Sequence, residues 1–425
     1  MNKKLMAVAV AGAFAAPALV YAQNATVQVY GRATVEYGYA DQGTGRPNTD
    51  IFQTPGGSSI GFKGQEQLGG GMSAWFQCES SADVRGLNQD GFCGRNSAIG
   101  LKGGWGNVFF GRWDTPFKRA TIGMVGAGDT GLLGAAFLFA GNSTGTGAMG
   151  GQGASQGLSR NVWKRRESGL IYYESPSFSG FQVMGAFSAA NATSAVDATT
   201  NAKPRVGSIA GIYSNGPLNI AGGYEKHWNF GTGDAGAAAA AFKAGSISFP
   251  GQFVAGGANP ITAFTAPTAA TAGTGGTGND DRGWTIGASY NFMGNLLVGV
   301  QYIDTKYETG AGTEAKKKNW FLGADWNFAG PHHILGAWVR AGDTKGNSTF
   351  AIAGGNGPVS ASGPDTGADL WEIMYGYDFS KRTNVKLGYV HLSNDRLGTY
   401  SLGGLAAGAA GTDQHAFVFY GQHSW

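Results

Sequence analysis

His332 and His333 are the residues of this chain that most invite chemistry, because two imidazoles can begin a zinc site. Neighbouring residues of a strand point to opposite faces, however, and no Cys, Asp or Glu stands at ligand spacing beside them. No metal is expected. The other histidines, His227, His391, His415 and His423, are scattered, and hydrolysis would need one of them to orient a Ser or Thr nucleophile together with a third polar group. No serine is read on the sharp strand-to-helix turn that makes a nucleophile elbow. The triglycine Gly69 to Gly71 is not a phosphate cradle, since no Lys-Ser/Thr follows it and no helix begins there. The chain is expected to be no enzyme and to need no cofactor. Cys78 and Cys93 remain. In an exported chain they can bridge, and they are expected on adjacent strands at nearly facing positions. A disulfide closing the intervening loop and two small apolar residues facing outward both stay open.

What must position these residues begins with a leader. Lys3 and Lys4 precede an apolar run from Leu5 to Leu19 and a small-residue cleavage site at Val20-Tyr21-Ala22, the pattern of a signal peptide over residues 1–22. Its removal brings the formal charge from +3 to +1, which leaves no polybasic footprint for nucleic acid. Only 13% of residues are charged, against about a quarter in soluble proteins, yet mean hydropathy is −0.15. No stretch after residue 22 reaches the roughly 18 to 20 apolar residues of a membrane-spanning helix. A transmembrane β-barrel reconciles the two numbers, because each strand alternates apolar residues toward lipid with polar ones toward a wet lumen.

Period-two alternation runs through the chain. Val27, Val29, Gly31, Ala33, Val35, Tyr37 and Tyr39 share one face, and Gln28, Tyr30, Arg32, Thr34 and Glu36 the other. Trp284 to Phe292, Trp320 to Phe328 and Trp371 to Phe379 repeat the pattern and end in Tyr290-Asn291-Phe292, Trp326-Asn327-Phe328 and Tyr377-Asp378-Phe379, each before a short turn. Aromatics therefore collect at the short-turn end, as an interfacial belt requires. Strands are expected near 25–40, 58–66, 72–80, 93–102, 107–114, 163–174, 181–190, 204–214, 218–229, 282–292, 296–308, 318–328, 333–343, 368–379, 384–394 and 412–425. Their even number lets an antiparallel sheet close without an edge. The fold class is all-β, a 16-stranded antiparallel transmembrane barrel over residues 23–425. Connectors 115–162 and 230–281 are too long for hairpins. The second reads as a low-complexity surface loop, whereas the first contains Gly131-Leu132-Leu133-Gly134-Ala135-Ala136-Phe137-Leu138-Phe139 and is too apolar to float in water.

Five motifs carry a family likeness: Val29-Tyr30-Gly31-Arg32; Gly61-Phe62-Lys63-Gly64 with Leu68-Gly69-Gly70-Gly71; Phe76-Gln77-Cys78-Glu79-Ser80; Gly106-Asn107-Val108-Phe109-Phe110-Gly111-Arg112; and Tyr172-Tyr173-Glu174-Ser175-Pro176-Ser177-Phe178-Ser179-Gly180. Together they resemble the general-diffusion porins of Gram-negative bacteria, nearest the betaproteobacterial and neisserial branch, over almost the whole mature length. The resemblance implies an outer-membrane homotrimer with short periplasmic turns, long extracellular loops and a third loop folded into the lumen as the constriction. It also implies passive diffusion of small hydrophilic solutes, contact with outer-membrane lipid and lipopolysaccharide, and wall or constriction cations at Arg32, Lys63, Arg112 and Arg166. Alternation places Arg32, Lys63 and Arg166 on the lumen face, while Arg112 has the parity of outward Val108 and Phe110 and must enter through a bulge. Two departures stand out. Many relatives carry arginine where this chain has Ser59, and they end in Phe where this one ends in Trp425.

Between Thr115 and Arg166 the only acid is Asp129, set against Lys118, Arg119, Arg160, Lys164, Arg165 and Arg166. That excess of positive charge predicts an anion preference. A second reading is a substrate-selective channel for a particular sugar or aromatic or organic acid, with Phe137, Phe139, Trp75, Tyr172 and Phe321 as a sliding surface. A surface adhesin or soluble β-sandwich would bury its aromatics and is opposed by the short turns and the aromatic C-terminal strand.

Overall fold

The computed structural model describes residues 27–43, 45–55, 57–86, 91–126, 131–135, 163–188, 205–229, 280–310, 312–349, 362–405 and 408–425. The leader, Asp129, Phe137, Phe139, Arg160 and most of the 230–281 connector lie outside the described residues.

Sixteen strands form the wall. They are β1 Gln28–Asp41, β2 Ser59–Gly69, β3 Met72–Ser81, β4 Ser97–Gly103, β5 Gly106–Asp114, β6 Arg166–Glu174, β7 Phe181–Ser188 and β8 Arg205–Asn215. The second half comprises β9 Leu218–Trp228, β10 Asp281–Phe292, β11 Leu296–Gly310, β12 Thr313–Ala329, β13 His332–Ala341, β14 Ala368–Ser380, β15 Thr383–Asn394 and β16 Gln414–Ser424. Two short segments, Thr49–Gln53 and Lys345–Gly346, extend β1 and β12 at the long-loop end and are not part of the ring. Each wall strand pairs antiparallel with its sequence neighbours, and β1 pairs both with β2 and with β16, from Arg32 opposite Ser424 to Asp41 opposite His415. The ring is closed, so no run of backbone donors and acceptors is left at an edge. Trp425 seals the seam: its N–H donates to the Gly31 carbonyl, and its indole occupies the place a Cβ on Gly31 would take.

Alternation divides inside from outside. On β10, Trp284, Ile286, Tyr290 and Phe292 are exposed outward while Thr285, Gly287 and Ser289 are buried inward. Outward aromatics form two girdles from β10 to β16. At the long-loop end Trp284 packs on Tyr302 and Tyr302 on Trp320, followed by Trp338 opposite Trp371, then Tyr389 against Phe417. At the short-turn end Tyr290 meets Phe292, Trp326 meets Phe328, and His332 meets Tyr377.

One expectation is corrected. The inward face is not uniformly hydrophilic: Ile303, Phe321, Leu335, Val339, Leu370, Met374, Val390, Leu392 and Val418 all point inward from β11 to β16 and are buried. The cause is the chain that covers them. Leu132 and Leu133 of the 115–162 connector, with Tyr400, Leu402 and Leu405 of the connector after β15, complete an apolar core inside the barrel. The Leu132 methyl group fills the space above Gly38, and Leu133 lies against Gly388 and Met374. Each buried leucine stabilises by about 1.5–3 kcal/mol. Tyr172 and Phe321 belong to such packed inner clusters, which corrects the expectation that they line a sliding surface.

Replacing Leu132 and Leu133 by alanine should cost about 2–5 kcal/mol at each position. The double variant is expected to keep its β-sheet circular dichroism while the connector becomes cleavable by added protease; an unchanged cleavage rate would contradict inner docking of this segment.

Candidate functional site

The inner wall is the candidate site, and its shape follows from how the 115–162 connector is held. Asp114 ends β5, Thr115 then adopts an extended backbone, and Pro116 opens a single helical turn, α1 Pro116–Arg119. The Thr115 hydroxyl accepts from the Lys118 N–H, and proline at the first turn sacrifices no hydrogen bond there. Phe117 donates its N–H to Ser208 Oγ on β8, 3.0 Å away. From α1 the chain runs along the inside. The Gly123 N–H donates to Gln301 Oε1 at 2.9 Å, while Gln301 Nε2 donates to the Ala120 carbonyl and to Thr285 Oγ1. Its backbone lies so close to β11 and β12 that a Cβ on Gly299 would stand 2.3 Å from the Gly123 carbonyl oxygen and one on Gly323 1.9 Å from that of Val125. Those glycines form the trough that accepts the loop. Leu132 N–H then reaches Glu36 Oε1 on β1 at 2.7 Å, where Gln53 Nε2 also donates.

The returning root is anchored as firmly. Trp163 stacks on His227 of β9 at 4.5 Å between ring centroids and donates from Nε1 to the Tyr307 hydroxyl on β11. Arg165, fully buried, pairs with Glu167 at 3.0 Å and approaches His227, which pairs in turn with buried Glu225. Buried charges of this kind hold only as a set.

With the connector so placed, the described loop residues cover Glu36 and Gly38 on β1 and Phe109 and Tyr172 on β5 and β6, and leave part of the inner wall of β1 to β6 uncovered. Half-exposed or exposed there are Tyr30, Arg32, Lys63, Trp75, Gln77, Glu79, Lys102, Asn107, Trp113 and Glu174. Arg32 donates from Nε to the Gly57 carbonyl and sits opposite Ser59. Lys63 is exposed on the inward face, its ammonium 5.0 Å from the Tyr30 ring, and the Tyr30 hydroxyl donates to Glu79, which is paired with Arg95 at 2.6 Å. Trp75, Asn107, Glu174 and Arg119 form a chain of polar contacts: Trp75 Nε1 donates to Asn107 Oδ1, Asn107 Nδ2 to Glu174 Oε2, and the Arg119 guanidinium pairs with Glu174 Oε1.

The residues singled out from sequence that lie among the described ones take these places. Arg112 donates to Ser168 Oγ at 3.0 Å, beside an irregularity at which Gly111 faces Leu170 but Trp113 faces Glu167. The extra residue lies on β6 at Ser168–Gly169, and Gly169 has a positive φ of 64°, as such a bulge requires. It changes the parity below it, so that Glu167 pairs with Trp113 while Arg166 turns to Asp114 and Asn96. Lys118 joins the same carboxylate at 2.9 Å. The positive run read along the connector is thus answered by acids from the wall: Asp114 for Lys118 and Arg166, Glu174 for Arg119, Glu167 for Arg165. Counting charges along the chain missed them because they belong to strands that flank or oppose the loop. Trp113 was also missed, although it shares the inward parity of Asn107 and Phe109 on β5. Cys78 and Cys93 are joined, with Cα atoms 4.7 Å apart. Cys93 is not on a strand as expected; β4 starts only at Ser97, and Cys93 sits in the preceding loop at φ 56° with its N–H donating to Ser80 Oγ. His332 faces outward to Tyr375, whereas His333 faces inward to Asp325 and Asp378.

Comparison with known proteins matches this architecture. The family model for Gram-negative porins matches residues 6–266 and 256–397. The major outer membrane protein P.IB of Neisseria gonorrhoeae is 34% identical over 188 residues, 43% of this chain and 46% of that protein. An outer membrane porin protein of Bordetella pertussis is 31% identical over 255 residues, 53% of this chain and 60% of its own length. The chain therefore spans about half the length of the relatives it matches. In fold it resembles the anion-selective porin from Comamonas acidovorans, with a TM-score of 0.65 at 21% identity over 95% of this chain and 100% of that one. It also resembles the trimer form of OmpT from Vibrio cholerae, with a TM-score of 0.55 at 14% identity over 94% and 99%.

Arg165→Met should destabilise the barrel by about 3–5 kcal/mol, because it strands Glu167 and Glu225 as buried charges. The expected outcome is loss of the compact, unboiled gel form at a lower temperature, with Glu225→Gln restoring part of it; a variant as heat-resistant as the parent would refute the anchoring role.

Proposed function

The chain belongs to the Gram-negative porin family, and from that premise we propose that it forms a water-filled outer-membrane channel through which small hydrophilic solutes diffuse, with anions preferred. The observation that carries the reading is the division of the inner wall: an apolar half sealed by the docked connector, and a hydrated half on β1 to β6 that remains for the passage. The connector narrows the lumen by occupying it. Nothing needs to be bonded or cleaved for this function, so the site requires no nucleophile and no cofactor.

Anion preference rests on charges that lack a counter-ion in space. Lys63 and Lys102 both face the lumen from β2 and β4, and neither makes an ion pair among the described residues. The nearby carboxylates Glu79 and Glu174 are engaged by Arg95 and Arg119. A unit charge about 5 Å from a permeating ion in water contributes roughly 0.8 kcal/mol before screening. At low salt the reversal potential in a potassium chloride gradient should carry the sign of chloride selectivity, and Lys63→Gln should lower the chloride-to-potassium permeability ratio by up to about fifteen-fold, since the charge attracts one ion and repels the other. A cation-selective parent channel would reject the preference.

The outside divides as well. The two girdles face lipid from β10 to β16, and above the upper one the outward Lys316 and Lys318, 47% and 60% exposed at their side chains and paired with Glu314 and Asp304, are the cations this reading gives to lipopolysaccharide phosphates. On β2 to β5 the large apolar outward residues include Ile60, Phe62, Phe76, Ile99, Leu101 and Phe110, and Trp105 in the β4–β5 turn is the one exposed Tyr or Trp among the described residues of this face. A face with so few interfacial aromatics is suited to burial against other copies, and we assign the homotrimer contact to it. Leu101→Glu should yield folded monomers in detergent, and Lys316→Gln with Lys318→Gln should reduce the lipopolysaccharide that copurifies. Trimers that survive the first change would place the interface elsewhere, and undiminished lipopolysaccharide after the second would remove these lysines from its site.

A further inference from the structure

Trp75 is held in an unusual way for an aromatic residue on a hydrated wall. It arises on β3 opposite Gly100 of β4, and its Nε1 donates to Asn107 Oδ1 on β5 at 2.8 Å. The indole therefore spans β4. Gly100 permits this: a Cβ there would stand 2.6 Å from Nε1 and 2.7 Å from Cε2. Phe109 and Trp113 support it edge-on, at 5.3 and 5.9 Å between centroids. One face of the ring rests on the wall and its polar edge is satisfied, so what the half-buried side chain offers the lumen is π-surface.

A lysine stands on the strand to either side of Trp75, with the Lys63 ammonium resting over the Tyr30 ring. Lys63 faces Gln77 and Lys102 faces Ser73 across their ladders, which makes each the diagonal neighbour of Trp75, about 7–8 Å away between Cα atoms. Neither is ion-paired among the described residues. The carboxylates nearest them, Glu79 and Glu174, are each tied to an arginine. An apolar planar surface with a lysine on the strand to either side, each long enough to turn its ammonium to a bound solute, matches a planar ring carrying one negative charge. It does not match a neutral sugar, which would need paired donors and acceptors around its rim.

Resting on the channel reading above, we propose that Trp75, Lys63 and Lys102 form a subsite for aromatic monocarboxylates, the ring lying on the indole and the carboxylate between the amines. The solute pauses there during passage and shares the path that chloride uses. No covalent step is involved.

The test is single-channel current of the full trimer in a planar bilayer with benzoate or cyclohexanecarboxylate added, two acids of equal charge and similar size that differ in the π-system. Benzoate should interrupt the current at a half-saturating concentration about five-fold below that of cyclohexanecarboxylate, the ratio expected for one aromatic pair. Trp75→Leu should bring the two acids together, and Gly100→Ala, which displaces the indole without removing it, should do the same. Lys63→Gln with Lys102→Gln should raise both concentrations. Unboiled gel migration establishes that each variant is folded. Equal block by the two acids in the parent, or an undiminished difference in folded Trp75→Leu or Gly100→Ala, would overturn the subsite while leaving the channel intact; a parent that opens no channel at all would overturn the channel reading and the subsite with it.

Discussion

Hydrogen-bond closure is the constraint on which the rest of this structure depends. Inside a bilayer every backbone N–H and C=O must find a partner within the protein, because no water is present to supply one. Sixteen antiparallel strands meet that demand only if the last returns to the first, and the pairing of β1 with both β2 and β16 accomplishes it. Closure frees the side chains: with the backbone satisfied, one face of each strand can be as oily as lipid requires. Trp425 at the seam links the two ends of the ring, and its indole is accommodated because Gly31 has no side chain to oppose it.

A closed ring of this circumference encloses more space than side chains can fill, and the chain's answer is to fill one side with itself. The connector after β5 crosses the inner wall to β1, its backbone in a trough of glycines and its leucines on an apolar field running from β11 to β16. This inverts the usual rule for barrels, in which inward residues are polar because the lumen is wet. Here the inward wall is apolar over much of the covered side, and its buried polar residues, such as Glu36 and Gln301, bond to the loop backbone. The loop and the wall beneath it are therefore one packing unit, held by hydrophobic burial together with the buried polar contacts at its ends.

Most of the wall was legible in the sequence, since alternation is a local property. Sixteen strands read from period two agree with the observed ones to within a few residues at most ends, as for 218–229 against Leu218–Trp228 and 384–394 against Thr383–Asn394. The misses have local causes too. A strand over 93–102 includes Cys93, but a left-handed backbone there keeps it in the loop, and the ladder begins only at Ser97. Arg166 looked inward by parity, and a single inserted residue at Gly169 changed the count. The apolar inner field from Ile303 to Val418 was in plain sight as residues, yet alternation between two apolar faces gives no contrast by which to read it. Only the stretch around Leu132, too oily to be free, hinted at a partner.

Charge was the least legible feature, for a reason that bears on how the channel discriminates. Six cations against one acid between Thr115 and Arg166 suggest a strongly positive loop, but Asp114, Glu167 and Glu174 reach across the fold to Lys118, Arg166, Arg165 and Arg119. Those pairs sit at the roots of the connector, where buried or half-buried charges fix geometry and largely cancel for a passing ion. In the channel we propose, the field that an ion feels then comes from side chains opposite the docked loop, above all Lys63 and Lys102, which face the lumen and make no ion pair among the described residues. Because they belong to strands rather than to the loop, that proposal makes selectivity and constriction separable: the loop would determine how much of the lumen stays open, and the wall it leaves bare which sign of charge, and which kind of surface, a solute meets on the way through.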